Sequence, residues 1–270
     1  MFSQTVKLLH PLCGRPMILY PLDAISGLPV KKIFLVVGNQ QREIRETVNR
    51  FRKKVEFVSQ RRQLGTGHAV LQVRKHLEGR RGDLLIMNGD LPTLTTATLQ
   101  NFLDFHRRLG AVASILSTQA EDPTGYGRII RNYSGDVARI VEESDATSEE
   151  ARTLEINSGT YLIDIAFLFQ ALKKISTRNR QGEYYLTDLV GILRREGKRV
   201  AAYRHPDSSE ILGVNHRADL ALALRVLRRR KCRALMLDGV TLLDPDNTYI
   251  DHDVEVGTDT VIYPGTHLEG

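Results

Sequence analysis

At 270 residues, 41% hydrophobic and 26% charged with no tryptophan, the chain suits one large globular core with an appendage. No run approaches the roughly eighteen apolar residues of a membrane span, and no signal-peptide pattern opens the chain. Cys13 and Cys232 lack metal or redox spacing, so a reduced, cytoplasmic setting is expected. Much of the net charge of +6 comes from Arg225, Arg228-Arg229-Arg230-Lys231 and Arg233. Leu222, Ala223, Val226 and Leu227 form an apolar stripe beneath them. That pattern predicts a helix with a solvated cationic face, not a nucleic-acid surface with aromatics for stacking.

In chain order, Lys7-Leu8-Leu9-His10-Pro11-Leu12 leads through Gly14 and Pro16 into a helix over 17–28. Ile33 to Val37 is a continuous apolar strand, and Ile44, Val48 and Phe51 mark the buried face of the next helix. A short strand over 55–58 precedes Gln60 to His68, after which Val70, Val73 and Leu77 line another helix. Leu84-Leu85-Ile86-Met87 has the unbroken apolar character of a strand buried on both faces, in the middle of a parallel sheet. This alternation predicts a doubly wound α/β sheet. The second half is mixed: a strand over 111–118, a hairpin of 126–130 with 137–142 through Asn132 to Asp136, and a strand over 159–164. Helices near 166–174 and 186–196 and a strand over 200–203 complete it. The cleft between the halves is the expected substrate site. In the tail, Ile250, Val256, Ile262 and Leu268 recur every six residues, the period of a parallel β-helix. So little of a solenoid is not expected to bury its own faces.

Several residues have a chemical and a structural meaning side by side. Asp90, after the Asn88-Gly89 end of the 84–87 strand, is either a seat for a divalent cation or the cap of a helix near Pro92. Gly65-Thr66-Gly67 lets backbone approach a ligand at a helix start, or is an ordinary turn. Gln60 can read a base edge with its carboxamide. Asp122-Pro123-Thr124-Gly125-Tyr126-Gly127-Arg128 is a rigid turn or a hairpin entry. Glu142 and Asn157 are edge residues or a grip on sugar hydroxyls and an acetamido group. Thr187-Asp188 is a candidate helix N-cap, Asn215 a loop residue, and Lys7 one lysine among many. No nucleophile–histidine–acid spacing is visible, which favours catalysis by positioning and electrostatics.

Taken together, and in this order, these segments resemble the uridyltransferase half of the bifunctional N-acetylglucosamine-1-phosphate uridyltransferase/glucosamine-1-phosphate acetyltransferase family. Val141-Glu142 with Asp145-Ala146-Thr147, Glu155-Ile156-Asn157, Gly182 to Asp188 and Gly213-Val214-Asn215 carry the likeness alongside the motifs above. The resemblance implies a GT-A-like nucleotide-diphospho-sugar transferase (Rossmann-like) fold followed by the start of a left-handed parallel β-helix. The implied division is a nucleotidyltransferase domain over 1–217, a linker helix over 218–236 and the β-helix onset over 237–270. The implied reaction joins UTP and N-acetylglucosamine 1-phosphate into UDP-N-acetylglucosamine and pyrophosphate, a step of peptidoglycan precursor synthesis. Asp90 and Asn215 match Mg²⁺ ligands; Gln60, Gly65 and Thr66 match uridine contacts; Gly127, Glu142, Asn157 and Thr187 match contacts around the sugar; Lys7 matches a phosphate-binding lysine. The family's first strand and Leu-Ala-Ala-Gly-x-Gly-Thr-Arg-Met phosphate loop would precede Met1, which aligns with that loop's last residue. Turnover by the chain as given is therefore expected to suffer, as are the acetyltransferase activity and trimer that the family builds on a full β-helix. The alternatives are an inactive nucleotide-sugar-binding fragment and a thymidylyl- or guanylyltransferase for another sugar phosphate.

Overall fold

A computed structural model describes residues 3–38, 41–50, 55–211 and 213–270. Phe51, expected on a buried helix face, and Met1 lie outside them. A hairpin of β1 (Pro11–Leu12) and β2 (Arg15–Pro16) leads to α1 (Leu19–Ser26), β3 (Ile33–Val37), α2 (Gln41–Val48) and β4 (Val55–Ser59). Then come α3 (Thr66–Gln72), α4 (Arg74–Leu77), β5 (Asp83–Ile86), α5 (Thr96–Leu109) and β6 (Ala113–Gln119). The hairpin β7 (Arg128–Arg131) and β8 (Val137–Val141) precedes the ten-residue β9 (Glu155–Asp164), followed by α6 (Ile165–Leu172), α7 (Asp188–Arg195) and β10 (Val200–His205). α8 (Arg217–Leu237) connects to a tail of short strands, β11 (Thr241–Leu242), β12 (Tyr249–Ile250), β13 (Val261–Ile262) and β14 (His267–Leu268). No helix among the described residues is long and apolar enough to cross a membrane.

α5 shows how local sequence sets an element. The Thr95 hydroxyl accepts from Thr98 N at 3.2 Å as N-cap, and Gly110 stops the helix at φ 57°. Between them Leu99, Phe102, Leu103 and His106 fall on one face and are buried.

The main sheet runs β10-β6-β9-β7-β8, with β5 also on β9. This corrects the expectation for Leu84–Met87. β5 pairs antiparallel with β9, and Leu84, Leu85 and Ile86 are half-buried instead of enclosed on both faces. Among the described residues parallel pairing is confined to β3 with β4, β6 with β10 and the tail. Among the described residues β3 and β5 each have one strand partner, so the β3–β4 pair is not hydrogen-bonded to the main sheet. Phe34 and Val36 of β3 nevertheless share an apolar cluster with Leu84, Val58 and Ile165.

In the tail the interior is closed by α8 and not by the short strands alone. Thr241 pairs with Val261 and Tyr249 with His267, both parallel, at offsets of 20 and 18 residues. Its interior is buried: Ile250 is 2% and Ile262 5% exposed, because Cys232 and Leu235 of α8 close over them. The cationic face of α8 is likewise not simply solvated. Arg229 pairs with Asp246, Arg230 with Glu210, and Lys231 donates to the carbonyls of His252 and Val254. Arg228 lies over the Tyr249 ring. Arg228, Arg229 and Lys231 thus contact the tail, while Arg225 and Arg233 stay exposed.

Candidate active site

The site gathers loops at the ends of β5, β7 and β8 beside a bulge in β9. The first carries Asp90. No helix starts at Pro92, since α5 begins at Thr96 with its own cap, so Asp90 is not spent on capping. Its backbone carbonyl accepts from Val214 N at 3.0 Å, which places Asn215 beside it. The loop over 213–216 is in turn fixed by the start of α8, where His216 and Asp219 form a reciprocal capping box and Asp219 also accepts from Asn215 N at 2.7 Å. Lys7, on a 3₁₀ turn over Lys7–Leu9, reaches into this corner. Its ammonium donates to Asp90 Oδ2 at 2.6 Å and to Asn215 Oδ1 at 2.8 Å.

The second loop, 122–128, is stapled from beneath. Arg128 is 2% exposed; it pairs with Glu143 at 3.2 Å and donates to the carbonyls of Tyr126 and Ala151. Glu143 also accepts from Gly125 N at 2.8 Å. Tyr126 OH accepts from Gly213 N at 3.1 Å, tying this loop to the one that carries Asn215. At Gly127 a Cβ would lie 3.3 Å from Glu142 Oε2, so the glycine keeps the floor open beside the carboxylate.

Glu142 leaves β8 and is gripped by Thr187, whose hydroxyl donates to Oε1 at 2.9 Å. Thr187 therefore does not act as the expected side-chain N-cap of α7, and no cap hydrogen bond is present there. Burial pushes the Glu142 carboxyl above the usual range; the Thr187 hydrogen bond opposes the shift, and Asp188, Asp145 and Glu183 add to it. Asn157 comes from β9 just before a bulge. Across the bulge Leu116 faces Thr160 but Ser117 faces Asn157, leaving Ser158 and Gly159 without cross-strand partners.

The glycine-rich turn over 60–68 borders the same space. Gly65 has φ +103°, and a Cβ there would lie 2.7 Å from the Tyr184 carbonyl. Thr66 Oγ1 accepts from Leu186 N at 3.0 Å, and Gly67 N donates to Tyr184 O at 2.8 Å. Gln60 donates its amide nitrogen to Gly65 O and His68 Nδ1 at 3.2 and 3.0 Å. Its carbonyl oxygen is the group left for a base.

The cleft so formed, about 230 Å³, is lined by Thr66, Asp90, Gly127, Glu142, Asn157, Thr187 and Asn215. These are seven of the ten residues singled out in the sequence. Lys7, Gln60 and Gly65 do not line it; Lys7 touches Asp90 and Asn215, and Gln60 and Gly65 shape the adjoining turn. Further lining residues were not singled out as site residues, among them Asn88, Tyr126, Gly159 and Tyr161. The isolated Gly159 in a strand pattern is the signal for a bulge that could have found two of them. A Ser114–His106–Asp83 constellation also exists, at 2.8 and 3.4 Å. Ser114 is 0% and His106 3% exposed, so it belongs to the core and not to a nucleophilic site.

Among the described residues no three His, Cys, Asp or Glu side chains gather into a metal cage. Asp90 and Asn215 nevertheless fit a hard cation. They offer two oxygens that already hold one cationic group, the Lys7 ammonium, and magnesium sites commonly use one or two protein oxygens with water and substrate phosphates.

The chain is 45% identical over all 270 residues to the bifunctional protein GlmU of Geobacillus thermodenitrificans, and 47% and 48% identical to those of Enterococcus faecalis and Listeria monocytogenes serotype 4b. It spans 58% of the length of each. A crystal structure of UDP-glucose pyrophosphorylase complexed with UDP-glucose shares the fold, with a TM-score of 0.62 over 84% of this chain and 90% of that one at 15% identity. The nucleotidyl transferase family model matches residues 2–209. With that match over most of its length, the chain belongs to the nucleotidyl transferase family.

Proposed function

We propose that the cleft joins UTP to N-acetylglucosamine 1-phosphate, giving UDP-N-acetylglucosamine and pyrophosphate. The observation that carries this is the pairing, in one cleft, of the Lys7–Asp90–Asn215 corner with the Glu142–Asn157–Thr187 wall. The corner suits phosphates and the wall suits a sugar bearing an amide. The relatives named bifunctional protein GlmU support it.

In this reading the sugar-phosphate oxygen attacks the α-phosphorus of UTP and pyrophosphate leaves in line. The chemistry needs positioning and charge neutralisation more than a protein nucleophile. Asp90 and Asn215 would hold a magnesium ion, which would supply neutralisation of the gathered phosphate charge. Lys7, released from those oxygens, turns its ammonium to a phosphate. Gly65 and Thr66 bring the backbone close to the nucleotide, the Gly67 N–H being held by the Tyr184 carbonyl, and the Gln60 carbonyl accepts from the base. Glu142, held by Thr187, orients the sugar through its hydroxyls, and Asn157 meets the acetamido group.

Pyrophosphate release with magnesium, measured across UTP and dTTP with N-acetylglucosamine 1-phosphate and glucose 1-phosphate, tests the assignment. The expected order has UTP with the acetamido sugar first. Preference for dTTP with glucose 1-phosphate would overturn it.

A further inference from the structure

The β9 bulge does more than bend a strand. In an unbroken strand residues four apart stand about 13 Å apart along the backbone. Here Asn157 and Tyr161 touch through their side chains, with Asn157 Nδ2 donating to Tyr161 OH at 2.8 Å. The other end of the carboxamide is held as well, since Asn157 Oδ1 accepts from Gly159 N at 3.1 Å. The two contacts fix which end is which. A flipped amide would set its NH₂ against the Gly159 N–H. The rest of the bulge is satisfied by Ser158, whose Oγ donates to Leu116 O at 2.7 Å and accepts from Thr160 N at 3.1 Å.

Asn157 is 8% and Tyr161 2% exposed, yet both line the cleft. Pinned in this way, Asn157 keeps one Nδ2 hydrogen and one Oδ1 lone pair for a ligand. A 2-acetamido group offers the matching carbonyl acceptor and N–H donor, and a 2-hydroxyl offers a single atom in place of both. The phenolic oxygen, already accepting from Asn157, has its own hydrogen uncommitted among the described contacts.

The geometry points to Tyr161 as the positioning residue for sugar selectivity: by locking the Asn157 carboxamide it makes the cleft prefer a 2-acetamido sugar over a 2-hydroxy sugar. This rests on the proposed nucleotide-sugar reading of the cleft. Tyr161 acts through Asn157 and is not assigned a part in bond making.

The test is calorimetric titration of the chain with UDP-N-acetylglucosamine and with UDP-glucose. Tyr161→Phe removes only the hydroxyl. It should weaken the acetamido ligand about five- to tenfold, the size of one lost hydrogen bond, and leave UDP-glucose within about twofold. A purely structural role would weaken both ligands in parallel and leave their ratio unchanged, which would overturn the inference. Asn157→Ala should erase the same preference, and Tyr161→Phe added to it should cost no further selectivity; additive effects would contradict the coupling. A variant-free measurement guards against poor folding. In the unliganded parent the Asn157 side-chain amide protons should exchange with solvent more slowly than those of exposed asparagines. Equal exchange rates would refute the lock. If the parent binds neither nucleotide sugar, the uridyltransfer reading fails first and the inference falls with it.

Discussion

Gly159→Ala should separate backbone strain from a change in the cleft. Gly159 has φ +76°, and an added Cβ would lie 2.3 Å from Asn88 Nδ2. Gly135, in the β7–β8 turn, has φ +79° with nothing within 4 Å of its added Cβ. Both substitutions place an L residue in the left-handed region, which costs about 1–2 kcal/mol. The extra contact at 159 falls on the far end of the exposed Asn88 side chain, which can rotate away for less than about 1 kcal/mol. The two variants should therefore unfold at similar urea concentrations, each about 1–2 kcal/mol below the parent. Only Gly159→Ala displaces a cleft-lining amide, so only it should weaken UDP-N-acetylglucosamine, by about fivefold or more for one hydrogen bond lost. Urea melts and calorimetry on both variants make the comparison. Equal affinities alongside equal destabilisation would refute the close approach of Asn88 and Gly159 as part of the site.

Three further expectations use other parts of the cleft. Asp90→Asn should abolish magnesium-dependent pyrophosphate release while leaving the circular dichroism unchanged; near-parent turnover would remove Asp90 from the metal corner. The raised Glu142 carboxyl means the folded state holds its proton more tightly than the unfolded chain. That group's contribution thus favours folding below the unfolded carboxyl range and is lost as pH rises through the folded value. Glu142→Gln should accordingly gain in melting temperature relative to the parent as pH rises across that window, and a flat difference would contradict the burial argument. Thr66→Val leaves the Leu186 N–H without its acceptor and should destabilise by about 1–3 kcal/mol; a urea midpoint at the parent value would show that water replaces the hydroxyl.

Much of this was legible before the structure because apolar runs and glycine punctuation are local signals. Ile33–Val37 was bounded correctly, and Val55–Ser59 to within one residue, since their side chains and turns declare them. The order of the loop motifs likewise anticipated seven cleft-lining residues. What escaped was set by distant chain. The Leu84–Ile86 run cannot reveal that its partner is β9, arriving antiparallel some eighty residues later. The basic face of α8 looked solvated because its partners, Asp246 and the carbonyls of His252 and Val254, lie in the tail. Thr187 carried a local cap signal, but Glu142 outcompetes the backbone for its hydroxyl. Tyr161 read as one more strand aromatic until the bulge brought its hydroxyl to Asn157.

The most direct measurement maps UDP-N-acetylglucosamine onto the backbone by ¹H–¹⁵N NMR of the labelled chain with magnesium present. Saturable shifts should concentrate at Gly127, Asn157, Gly159, Thr187 and Gly213. Shifts confined to other surfaces, or none at all, would contradict the claim that this cleft receives the nucleotide sugar.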